Sequence, residues 1–258
     1  MFLKRIIYSL LGAKKYLLLI STVFLFLYRA GLLKKRFPQH YFISNLVKEG
    51  NTVIDIGANL GYYSIPLSLL CGKTGKVMAV EPVRMFIDIL EKNTRFTTFK
   101  NISLIHCALG NENEKVLLMG TPVRQGVLRH GLTRVITDES SDDFSMKYEI
   151  KQYHPDSIFS DLQRLNFIKC DVEGYEQYII PEFRSLITKH SPIFQIEISQ
   201  VETKDILFRF FRELNYRIYF LQAGLLHETK DGSPGNHGDI YFFPEESISE
   251  YLHIISSV

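Results

Sequence analysis

Tryptophan is absent from the 258 residues, and cysteine is scarce, with Cys71, Cys107 and Cys170 as the full set. Three thiols, an odd number set in or beside apolar runs, argue against a disulfide framework and for a reducing compartment. No C-x-x-C spacing offers paired thiolates to zinc. Internal repeats and low-complexity tracts are missing, which sets aside solenoid and linker architectures. The dinucleotide fingerprint G-x-G-x-x-G is missing too. No acid occurs before Glu49, whereas residues 1–40 hold Lys4, Arg5, Lys14, Lys15, Arg29, Lys34, Lys35 and Arg36. The net charge of +2 therefore hides a cationic N-terminal segment on a mildly acidic body.

Within that segment, Tyr16–Tyr28 (YLLLISTVFLFLY) is an unbroken weakly polar or apolar run. As a helix it spans about 20 Å, short of the ~30 Å hydrocarbon core of a bilayer. Three readings stay open: a helix packed on the body, a peripheral anchor lying on a membrane, and a true span. The basic residues interleave with long aliphatic runs, so nucleic acid is not the expected partner and a membrane surface touched by residues 1–36 is. The expected location is the cytoplasm, peripheral or anchored at a membrane.

Pro38 closes this appendage, so two regions are expected: 1–38, helical, basic and apolar, and 39–258, the main domain. In the latter, strand-like runs at 52–56, 76–80, 102–107, 166–169 and 193–198 alternate with helix-like stretches at 61–71, 84–93, 175–189 and 204–214. That alternation predicts an α/β fold with a mostly parallel sheet and helices on both faces. Two further runs, 216–221 and 239–243, flank the turn-rich Asp231–Gly238 (DGSPGNHG) and predict an antiparallel C-terminal hairpin. Seven strands are expected in total. Residues 110–160 break the rhythm and are longer than an ordinary βα connection. They are expected to insert on the substrate side, with short strands near 115–119 and 148–152, a loop between them and an acidic patch at Asp138–Asp143.

The motif Asp55-Ile56-Gly57-Ala58-Asn59-Leu60-Gly61 follows the first strand and opens a helix. Glycine lets backbone approach a ligand closely there, at the carboxyl end of the strands. Asp55 would repel a diphosphate but attract an ammonium or a sulfonium. Glu81, at the end of the second strand and before Pro82, is placed to accept both hydroxyls of a ribose. Asn59, Gly61 and Tyr62 complete the turn, and Cys107 and Ala108 at the end of the third strand should lie near a base.

The runs VIDIGANLGYY (53–63), AVEP (79–82), NISLIHCALG (101–110), FIKCDVEG (167–174) and FQIEI (194–198) together resemble the FkbM family of methyltransferases, in consistent order over roughly residues 45–245. The resemblance implies a class I methyltransferase, Rossmann-like fold, S-adenosyl-L-methionine as methyl donor, and O-methylation of a glycan, a lipid-linked glycan or a small natural product. Methyl transfer to oxygen needs alignment and a base. Asp171, Glu173 and Glu197 at strand ends are the candidates, with Asp171 also beside the donor. Helix-start chemistry is the competing explanation for Glu173, and structural ion pairing for Glu197. His106, His130, His154 and His237 are secondary candidates as base. No metal is expected. Two other functions compete: a non-catalytic scaffold on the same fold, and a nicotinamide-dependent dehydrogenase, which Asp55 and the missing fingerprint disfavour.

Overall fold

Apolar runs bounded by turn residues become the central strands. Thr52–Ile56 is buried along its whole length, as a strand covered on both faces must be. The computed structural model describes residues 2–136, 144–230 and 238–256. Its first elements are α1 (Phe2–Arg29), α2 (Pro38–Phe42), β1 (Thr52–Ile56), α3 (Ser64–Cys71), β2 (Lys76–Val80), α4 (Arg84–Asn93) and β3 (Ile102–Ile105). Then come β4 (Ala108–Leu109), β5 (Lys115–Arg124), β6 (Val127–Leu128), β7 (Arg134–Val135), β8 (Phe144–Tyr153), α5 (Pro155–Phe159) and β9 (Phe167–Cys170). The remainder is α6 (Glu176–Ile179), α7 (Arg184–His190), β10 (Ile193–Ile198), α8 (Val201–Glu213), β11 (Tyr216–Gln222), β12 (Leu225–Glu228) and β13 (Gly238–Pro244).

The main sheet runs β12-β11-β13-β10-β9-β1-β2-β3. β3, β2, β1, β9 and β10 are parallel, and β13, β11 and β12 complete the sheet antiparallel. The expected pairing of 216–221 with 239–243 is present as β11 against β13. The sheet has eight strands rather than seven. The extra one, β12, folds back on β11 through Ala223-Gly224, both at positive φ (50° and 85°), which is the backbone of a tight two-residue hairpin. Side chains alternate between two cores. Ile54, Phe194 and Phe242 go to one face, and Val53, Ile193 and Phe243 to the other.

Two other expectations need adjusting. The helix expected over 175–189 is broken into α6, a 3₁₀ turn and α7, because Pro181 cannot donate its backbone hydrogen bond. In the 110–160 region the strands are long, ten residues each in β5 and β8. They pair antiparallel from Lys115↔Gln152 to Pro122↔Phe144, with an irregularity at Thr121/Pro122. The acidic patch Asp138–Asp143 and most of the DGSPGNHG turn lie outside the described residues.

The N-terminal helix α1 kinks at Gly12 (φ 71°, ψ 168°). Beyond the kink, Leu17, Ser21 and Leu25 recur every four residues and are fully buried, a single stripe of a helix face. Leu17 joins Leu60, Phe86 and Ile89, while Leu25 joins Ala58, Ile65 and Leu90. Lys14 pairs with Asp88 at 2.6 Å. The buried Asn93 amide donates to Ser21 Oγ (2.9 Å) and to the Leu60 carbonyl (2.8 Å). It thereby ties the arm, α4 and the glycine-rich turn together. Asn93→Ala is expected to cost about 1–3 kcal/mol by leaving the Leu60 carbonyl unsatisfied. Urea unfolding measures this, and an unchanged midpoint would show that the tie contributes nothing.

Candidate functional site

β1 ends where the chain must turn sharply without leaving the sheet. The Gly57 and Ala58 amides both donate to the Val80 carbonyl at 3.0 Å, and the Asp171 amide donates to the Ile56 carbonyl at 3.0 Å. Gly57 (φ 79°) is so close to β9 that a Cβ there would sit 1.9 Å from the Asp171 carbonyl oxygen. No other residue fits this position. Asn59 (φ 50°) and Gly61 (φ 92°) complete the turn. This curvature delays α3 to Ser64, whereas the sequence predicts a helix from Gly61. A Cβ on Gly61 would meet Leu90 of α4, and Gly61 is not part of the cleft lining.

Above the turn lies a cleft of about 520 Å³, within the usual range for small-molecule sites. Asp55, Gly57, Asn59, Tyr62, Glu81 and Pro82 line it on one side, and Asp171, Glu173 and Glu197 on the other. Cys107 and Ala108 line an adjoining narrow apolar slot with Val80, Val135 and Met119. His130 lines the cleft, while His154 caps α5 and contacts Glu182 at 3.2 Å. His106 is exposed, outside the cleft lining. His237 lies outside the described residues.

The carboxylates on the glycine-turn side are held firmly. Ser64 Oγ donates to Asp55 Oδ2 at 2.5 Å, yet burial still pushes the Asp55 carboxyl up to about 6. Glu81 accepts from the Asn59 amide on one oxygen and the Val83 amide on the other, both at 2.8 Å. Burial raises it to about 7. The Asn59 side chain in turn exchanges hydrogen bonds with His130, through Nδ1 (3.0 Å) and the carbonyl (3.2 Å). The β5–β8 region thus reaches onto the glycine turn. Burial, then the nearby Arg129, lowers the His130 imidazole to about 4, so it is neutral.

The opposite side holds residues absent from the sequence expectation. Lys169, only 1% exposed in mid-strand, donates to Asp239 Oδ1 at 2.8 Å and lies 5.0 Å from the centre of the Tyr63 ring. Burial opposes its charge, but Asp239, Asp171 and Glu197 outweigh that and hold its pKa above the ordinary value. Asp171 is the main reason, ahead of burial, that Glu197 rises to about 8. Burial, then Asp171, lifts Glu173 to about 7. The arm contributes Phe24, Phe37 and His40 to the lining, and His40 stacks on Tyr63 at 4.1 Å. A lysine inside FIKC was the one sequence signal for Lys169, since buried lysine requires a partner. Nothing local pointed to His40.

These residues fit S-adenosylmethionine by their chemistry. Glu81 would offer carboxylate oxygens to ribose hydroxyls, and the Gly57 cradle admits backbone-close contact; the slot beside Cys107 and Ala108 is only about 30 Å³. Gly57→Ala should abolish donor binding, because its Cβ collides with the Asp171 carbonyl. Glu81→Ala should weaken it by roughly 10–100-fold, from two lost charge-assisted hydrogen bonds. Calorimetric titration with S-adenosylmethionine checks both, and unchanged affinity in Glu81→Ala would remove the ribose role.

Comparison with known proteins gives a match to the methyltransferase FkbM domain over residues 55–218. A protein-L-isoaspartate O-methyltransferase of Caenorhabditis elegans is 18% identical over 129 residues, covering 48% of this chain and 57% of that protein. The corresponding enzyme of Methanosarcina mazei is 37% identical over 57 residues, covering 22% of this chain and 24% of that protein. The chain therefore spans little more than half, or less, of these curated relatives. Fibrillarin of Aeropyrum pernix, solved with natively bound S-adenosyl-L-methionine, superposes with a TM-score of 0.44 at 13% identity, covering 77% of this chain and 68% of that one. The domain match runs through the glycine turn, Glu81 and the carboxylate-bearing ends of β9 and β10, and with it this chain belongs to the FkbM family of S-adenosylmethionine-dependent methyltransferases.

Proposed function

We propose that the chain methylates a hydroxyl oxygen on a glycan, a lipid-linked glycan or a small natural product. The observation that carries this reading is the group of carboxylates Asp171, Glu173 and Glu197 across the cleft from Glu81, two of them shifted toward neutrality. A hydroxyl attacking an electrophilic methyl group must shed its proton, and a carboxyl group with a raised pKa is a stronger base than an ordinary one. S-adenosylmethionine supplies that methyl group on a sulfonium. Glu197 is assigned as proton acceptor and Glu173 as its alternate, with Asp171 orienting the acceptor. Lys169 keeps this concentration of negative charge tolerable through its pairing with Asp239. A cleft so lined repels phosphodiester backbones, which favours an uncharged polyhydroxylated acceptor over nucleic acid. The β5–β8 region is read as shaping this cleft, since Met119, His130 and Thr133 line it. In the same reading, residues 1–36 bring the enzyme to a membrane surface. α1 includes 27 residues, Leu3–Arg29, long and apolar enough to cross a bilayer. The contacts of Leu17, Ser21 and Leu25 with the domain favour a peripheral arrangement instead.

Transfer of labelled methyl groups into fractionated lysate from cells lacking the gene tests the assignment. Label in hydroxyl-bearing glycan, lipid or small-molecule fractions is expected, and label confined to nucleic acid or protein would overturn it. Glu197→Gln should slow transfer roughly a hundred- to ten-thousand-fold with donor affinity unchanged. The carboxyl must be ionised to accept a proton, so the wild-type rate should climb with pH through about 8. The Gln variant should lose that limb. A variant that keeps both rate and pH profile would exclude Glu197 as the base.

A further inference from the structure

Strand register sets three carboxylates side by side along one edge of the cleft. Glu197 of β10 stands directly opposite Asp239 of β13. On its other flank, Cys170 of β9 pairs with Ile196, so the next residues, Asp171 and Glu197, emerge together. All three line the cleft. Like charges facing each other across two strands are destabilising, so this row needs a reason to persist. One row deeper, Gln195 pairs with Lys169 on one side and Tyr241 on the other. The alternation of side chains puts these residues on the same face as Glu197. Lys169 is therefore a cation beneath the row, outside the cleft lining. Its ammonium donates to Asp239 Oδ1 at 2.8 Å and to the Cys170 carbonyl at 3.4 Å. The Tyr63 ring covers it at 5.0 Å, and Gln195 Nε2 donates to the Tyr63 hydroxyl at 3.0 Å. The positive charge is thus fixed at one end of the row, on Asp239.

We propose that Lys169 is a positioning residue for proton transfer, which by bonding Asp239 makes Glu197, the middle carboxylate of the row, the one that takes up the proton shed by an acceptor hydroxyl. A proton on the middle member relieves repulsion with both neighbours at once, whereas a proton on either end relieves one. The ammonium on Asp239 makes that end a still poorer place for it. This rests on the assignment of Glu197 as proton acceptor and adds what selects it. Among the described residues, Asp171, Lys169, Asp239 and Glu173 are the charged groups that act on Glu197. Tyr63 and His40 face the pair from the helical layer, and burial keeps both uncharged near neutral pH.

Carbon-13 labelling of the glutamate side-chain carboxyls in the full chain lets NMR follow Glu197 by itself, as the signal missing from Glu197→Gln. Its titration is expected at about 8. Asp239→Asn keeps an oxygen for Lys169 to bond but removes a negative neighbour, so the Glu197 midpoint should fall by about one pH unit. Lys169→Met removes the cation, so the midpoint should rise by about one pH unit. The pH limb of labelled methyl transfer into lysate fractions should move in the same two directions. Circular dichroism checks that each variant folds, and if Lys169→Met does not, Asp239→Asn decides alone. An unmoved midpoint in folded Asp239→Asn would overturn the proposal, and so would shifts of both variants in one direction, which mark a purely structural pair. Midpoints that move as expected beside a rate limb that stays in place would remove Glu197 as the base while upholding the placement of the proton, so the two readings fail separately.

Discussion

The backbone contact between Gly57 and the Asp171 carbonyl is the constraint on which the rest of the site hangs. With no side chain at Gly57, the end of β1 lies directly against the end of β9. That closeness sets the distance between the glycine turn and the carboxylates that follow β9. It also explains the order of events after β1. The chain first bonds twice to Val80, passes through two positive-φ residues and only then starts α3. A looser turn would let the two halves of the cleft drift apart, and in-line transfer tolerates little drift.

Charge is the second organising force. Asp55, Glu81, Glu173 and Glu197 are all raised toward or past neutrality, three of them chiefly by burial and Glu197 chiefly by Asp171. Such a cluster would be costly without compensation. Backbone amides hold Glu81, a hydroxyl holds Asp55, and Lys169 faces Asp239 across β9 and β13. The site is thus under electrostatic tension as well as steric constraint, a condition common where proton transfer is to occur.

The sequence announces those parts of this structure that local chemistry specifies. Each parallel strand is an apolar run closed by a turn, and the acids at the strand ends follow from that pattern. The same holds for Glu81, one residue past β2. β12 carries no strand signal of its own because Leu225–Glu228 is half polar, and its identity depends on the positive-φ turn before it. The break at Pro181 was written in the sequence but outweighed by the helical pattern on either side. Partners distant in the chain were illegible: Lys169 and Asp239 are 70 residues apart. His40 meets Tyr63 only because α1 folds the arm back along α4. The cationic and apolar character of the N-terminal segment is plain in its residues, but which of them the domain buries, Leu17, Ser21 and Leu25, depends on contacts with α3 and α4.

The family match begins at Asp55, but the cleft does not. Phe24, Phe37 and His40 close one wall from a segment lying wholly before that point. The cleft is therefore built from more of the chain than the matched domain. A change in that segment would reshape one wall of the cleft while leaving the Gly57 turn and Glu81 untouched.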